Sequence, residues 1–218
     1  MKRHSSIFLK IAVVIGVAAI ATPALAGPPL LCHPYDIGSA RSLPWNDAAG
    51  WTGTLADYKL DNLVADTEAL LTPSTPVVVR METLRRAAIY ASTDATVAKQ
   101  LLSRLNARVD AAEAAGHPDA LALLDAAYVT GAFHQMTMLS GEFASRAPGL
   151  RAAIGNADAY GLITRSVAAR ASDAEIQFAA ALIATDTNNR GHYLDHASKA
   201  RAGAPGDALL TKNLNHVQ

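Results

Sequence analysis

A single cysteine, Cys32, is all the thiol chemistry the chain carries. No disulfide can form within it, and the fold must be held by its core. No apolar run reaches the about 20 residues that a membrane-spanning helix needs. The only stretch of β character, residues 77–79, is too short to found a sheet. Basic and acidic residues balance at 19 each, without the concentrated basic face that nucleic acid requires. The sequence holds no glycine-rich phosphate loop, no G-x-S-x-G elbow and no C-x-x-C or C-x-x-C-H motif.

What is present begins at the N-terminus. Lys2, Arg3 and Lys10 precede an apolar run over residues 11–21, followed by Pro23 and Ala24-Leu25-Ala26. A basic region, a short apolar region and a small-x-small exit form a secretion signal, with cleavage expected after Ala26. The run is too short for a retained anchor, and Cys32 follows Leu31 too far downstream for a lipoprotein cysteine. Loss of residues 1–26 removes three basic residues and no acidic one, leaving 16 basic against 19 acidic residues, a charge of −3. The mature chain is expected in the periplasm or outside the cell, with no stable membrane insertion after cleavage and no nucleic-acid partner.

The spacing of apolar residues predicts an all-α protein. Leu60, Leu63, Val64, Thr67, Leu70 and Leu71 share one helical face, closed by Pro73. Val77, Met81, Leu84, Ala88 and Ala91 repeat the pattern, with Arg80, Glu82, Arg85 and Arg86 expected to turn away from the core. Asp94 is a good cap for a helix whose stripe runs Val97, Leu101, Leu105, Val109 and Ala112, ending at Gly116. Pro118-Asp119 opens an apolar helix from Ala120 to about Leu139, and a loop is expected over residues 148–156. Further helices are expected over 160–171, 173–184, 191–202 and 207–214. Short connections make successive helices antiparallel hairpins.

Asp173-Ala174 and Asp207-Ala208 lie 34 residues apart, the period of a tetratricopeptide unit, with Ala181 and Ala200 at two of its small-residue positions. The unit's bulky aromatic positions do not match, so a short repeat-like array and a non-repetitive helical domain both stand. Residues 27–57 differ from the rest. Four prolines and both tryptophans, Trp45 and Trp51, fall here, among Leu30, Leu31, Tyr35, Ile37 and Leu43. Prolines oppose helix and the apolar side chains oppose a free tail, so an extended segment docked on the helices of 58–218 is expected.

The run L-C-H-P-Y-D-I-G-S-A-R-S-L-P-W over residues 31–45, and M-E-T-L-R-R-A over residues 81–87, resemble a group of secreted bacterial proteins of no established activity. The resemblance implies secretion and a shared fold; it carries no catalytic residue.

Candidate chemistry is sparse. Cys32 sits beside His33, but neighbouring side chains in an extended segment point to opposite faces, so the two make no self-contained dyad. His192 and His196 stand four apart on a predicted helix and could share a metal ion. Their sequence, H-Y-L-D-H, lacks the zincin glutamate, Lys199 continues their face, and a solvated pair at the edge of the buried stripe is expected. His134, Met136 and Met138 offer soft ligands, but core packing is the expected role. The favoured function is a non-enzymatic helical scaffold or binding module for a protein or peptide. The alternative is a metal- or thiol-dependent protein in which Cys32 or His33 meets His192 or His196. No resident cofactor is expected under the first, a transition metal under the second.

Overall fold

The computed structural model describes residues 27–187 and 189–217; the segment expected to be a signal peptide, residues 1–26, lies outside them. Among the described residues the secondary structure is helical throughout, with no strand and no helix long and apolar enough to cross a membrane. The helices are α1 (Leu63–Leu70), α2 (Val77–Ala91), α3 (Ala95–Ala114), α4 (Ala120–Met136), α5 (Glu142–Ile154), α6 (Ala159–Ala169), α7 (Ala174–Ala184), α8 (Arg190–Gly203) and α9 (Ala208–Asn213).

Aspartate caps set the starts of several. Asp94, Asp119 and Asp173 each accept two main-chain amides of the helix they open, and Asp207 accepts that of Leu210. Helix α2 follows Pro76 and has no cap of its own; Glu175 of α7 supplies it, accepting the amides of Val77 at 3.2 Å and Val78 at 3.1 Å. Helix α4 is the centre of the domain. It is apolar on every side, packs against α2, α3, α5, α6 and α7, and leaves only His134 exposed. Helices α7 and α8 form a tight antiparallel hairpin with Ala181 and Ala200 fully buried between its neighbours. At its open end a Cβ on Gly203 would stand 2.6 Å from that of Ala174.

The expected loop at 148–156 is instead mostly helix. Pro148 lies inside α5 and removes one ladder hydrogen bond, yet Phe143, Ala147 and Leu150 are buried on one face. That burial outweighs the lost bond. Helix α4 also stops at Met136, short of Leu139.

The N-terminal segment is a strap. Apart from a 3-10 stretch at Asp47–Thr52, residues 27–57 have no regular structure. Leu30, Leu31, Tyr35 and Leu43 are buried in the common core, with Trp45 and Trp51 packed against it. Leu30 seats over Gly131 of α4, where a Cβ would come 2.9 Å from its Cδ1. Each such burial contributes about 1.5–3 kcal/mol.

The strap overturns one expectation outright. Arg80, Glu82 and Arg85 do not turn away from the core; they are fully buried, and Arg86 is nearly so. Arg80 is buried against Asp125 of α4 and the α1–α2 loop, whereas Glu82, Arg85 and Arg86 are covered by the strap.

Candidate functional site

The groove under the strap is built from polar side chains of α2, α4 and α9 that grip its main chain. Glu82 of α2 receives Arg85 at both oxygens, 2.8 Å each, and Arg86 Nε at 2.7 Å. Its Oε2 also accepts the main-chain amide of Tyr35 at 3.1 Å. Burial would raise the Glu82 carboxyl; the two guanidiniums outweigh it and hold the group below its ordinary value. Arg85 then donates to the carbonyls of Leu31 and Trp51, and Arg86 to that of Leu43. Trp45 lies over both guanidiniums, 4.8 Å and 5.6 Å from ring centroid to Cζ.

Further grips run along the same path. Gln135 of α4 accepts the amide of Leu30, and the Tyr128 hydroxyl donates to the Leu30 carbonyl. Asn213 of α9 clamps Asp36 both ways, accepting its amide and donating to its carbonyl, each at 2.9 Å. The Tyr90 hydroxyl donates to the Pro44 carbonyl and accepts the Leu55 amide.

The residues singled out for metal or thiol chemistry fall in two neighbourhoods. Cys32 is half-buried at the start of the strap; burial raises its thiol, against the charge of Arg85, so little thiolate forms near neutrality. His33 meets His216, near the chain end, with ring centroids 6.2 Å apart. His192 and His196 gather instead around Tyr160 of α6. The His192 ring stacks on it at 4.7 Å, while the Tyr160 hydroxyl lies 3.3 Å from His196 Nε2. Among the described residues no three His, Cys, Asp or Glu side chains are grouped as a metal ion would need.

The two helical histidines are not the solvated pair expected. His196 is buried, and its Nδ1 lies 2.7 Å from the Gln177 carbonyl oxygen, which fixes the tautomer with the proton on Nδ1. Burial holds the ring below its ordinary value. The alanine-rich α7 is thin enough for α8 to sink that far. Met136 is core as expected, whereas Met138 and His134 are exposed.

His134 borders a cleft of about 180 Å³, lined also by Asp158, Tyr160, Ile183 and Asp186. Asp186, raised by burial, lies 3.5 Å from His134 Nδ1 and accepts Gln135 Nε2 at 3.0 Å. Gln135 thus connects the strap at Leu30 to this cleft. Among the described residues no hydroxyl or thiol is hydrogen-bonded to the His134 ring, so the pair has an orienting carboxylate but no nucleophile. No sequence signal marked the strap groove, because its polar residues are spread over α2, α4 and α9.

The fold defines an all-α protein in which an extended N-terminal strap fills a groove among helices. Compared with family models, curated proteins and solved structures, the chain gives no match.

Proposed function

We propose that the protein is an exported helical scaffold or binding module that recognises an extended segment of a protein or peptide. The observation that carries this reading is the groove. Its helices hold main-chain groups at Leu30, Leu31, Tyr35, Asp36, Leu43 and Pro44 through side-chain hydrogen bonds. Main-chain gripping works for any extended sequence, and pockets for apolar side chains supply selectivity, as in grooves that take proline-rich segments. The close α7–α8 pairing, in which Gly203 approaches Ala174 and both Ala181 and Ala200 are fully buried, supports a tetratricopeptide-like hairpin. The protein's own strap is then a ligand held in cis.

A peptide of residues 28–45 tests the reading. Replacing Leu30 and Leu31 with Asp removes two buried anchors of the strap, weakening its hold at a cost in stability, and leaves every groove residue intact. With the fold confirmed by circular dichroism, this variant should bind the labelled peptide saturably, and wild type should not. A folded variant that ignores the peptide, or equal binding by wild type, contradicts the reading.

A further inference from the structure

The start of the strap and the end of the chain meet over one apolar pocket. The last turn, Leu214–His216, inserts the His216 ring beside Tyr35, with centroids 5.0 Å apart, and edge-on to Phe178 of α7 at 6.3 Å. His33 stands edge-on from the strap at 6.2 Å. The joint is closed on both flanks. Asn213 clamps the main chain of Asp36, Lys212 lies 3.6 Å from the Asp36 carboxylate, and Val217 is fully buried with its carbonyl held by Arg201 of α8.

Among the described residues the balance of this joint is against a proton on His216. Its Nδ1 is shielded from water and has no hydrogen-bond partner among the described residues. Of the charged groups around it, Arg85 of α2 and His33 of the strap oppose a second positive charge. Glu82 favours one but is committed to Arg85 and Arg86. The Tyr35 hydroxyl is bonded to that of Tyr128, and both phenols are held neutral by burial. Burial first, and the His33 charge second, hold the His216 ring down at about 4.

We propose that this joint is an acid-operated latch, in which protonation of His216 expels the last turn from between Tyr35 and Phe178 and frees the start of the strap. An imidazolium whose buried Nδ1 has no acceptor among the described residues is costly, whereas the released turn hydrates it fully. In water the ring titrates near about 6.5. Between that value and about 4 the released form binds the extra proton, so opening grows as pH falls through this window. That opening exposes the groove to another segment rests on the binding reading above; the opening itself does not.

Hydrogen exchange read by mass spectrometry, corrected for the intrinsic pH dependence of amide exchange, separates the two. From about pH 7 to about pH 4.5, peptides covering 28–37 and 208–217 should lose protection by more than about tenfold, while α3 and α4 keep theirs. His216→Phe fills the pocket without a titrating group and should stay closed at both pH values. His33→Gln removes the opposing charge and should open less than wild type. Unchanged protection in wild type, equal opening in His216→Phe, or simultaneous loss across all helices would overturn the latch. None of these outcomes bears on peptide binding at neutral pH.

Discussion

Helix α2 carries two buried charge networks, and they fasten different things. Arg80 Nε lies 3.0 Å from Asp125 Oδ1 of α4, and Arg108 Nη1 of α3 lies 2.9 Å from Asp125 Oδ2. That network joins helices already neighbours through their apolar stripes. The Glu82 network begins within one helix and spends its remaining donors and acceptors on strap carbonyls and an amide. The first is mainly a helix-to-helix tie, with Arg80 also donating to the Leu71 and Thr72 carbonyls of the α1–α2 loop; the second holds the strap, satisfying main-chain groups at Leu31, Tyr35, Leu43 and Trp51.

Breaking the second network should have the largest effect. Glu82→Gln leaves two buried guanidiniums uncompensated and should cost about 3–5 kcal/mol in urea unfolding, much of the roughly 5–15 kcal/mol of a domain. Acid does the same more gradually. With its folded pKa held below the ordinary value, Glu82 contributes stability above about pH 4.3 that is lost as pH falls through the depressed value.

Asp125→Asn should cost less, about 2–3 kcal/mol, because Arg108 is partly exposed and can turn to water. Replacing Arg80 with Met and Asp125 with Leu together should cost less than Asp125→Asn alone, about 1–2 kcal/mol, since an apolar pair substitutes for a buried ion pair and the remaining loss is the Arg80 donation to the Leu71 and Thr72 carbonyls. If Glu82 and Arg85 tolerate an apolar exchange equally well, the contrast between the networks fails.

Smaller effects test packing away from α2. Gly203→Ala drives a methyl into Ala174 at the open end of the α7–α8 hairpin and should lower stability by about 1–3 kcal/mol. A neutral result would mean that this hairpin packs more loosely than 2.6 Å implies. His196→Gln gives up the buried contact to Gln177 and should cost about 1 kcal/mol, whereas His192→Gln should stay within about 0.5 kcal/mol. One metal equivalent bound by untagged protein, and released by either replacement, would revive the metal reading of this pair.

Much of the fold was legible because its signals are local. The Asp94, Asp119, Asp173 and Asp207 caps, the stripe of α3 and the uniform apolarity of α4 all lie within a few residues of what they determine. The extended, docked character of the strap was legible from its prolines and large apolar side chains. The charged strip of α2 was not, because its cover comes from the strap and, for Arg80, from Asp125 of α4, each some 30 to 50 residues away, and single-helix periodicity reads Arg and Glu as solvent-facing. Helix α5 was obscured by Pro148, whose local cost is outweighed by the tertiary burial of Phe143 and Leu150. The joining of His33 to His216 links opposite ends of the sequence, and no spacing rule connects them.

The central claim is that the strap belongs to the core rather than lying on it. Native-state hydrogen exchange at neutral pH, followed by NMR at increasing sub-denaturing urea, tests it at the amides of Leu30, Tyr35 and Asp36, which Gln135, Glu82 and Asn213 hold. These amides should exchange through the same global opening as those of α2, with equal free energy and equal urea dependence. Exchange through a smaller, urea-insensitive opening while α2 stays protected would show that the strap detaches on its own and would contradict the account.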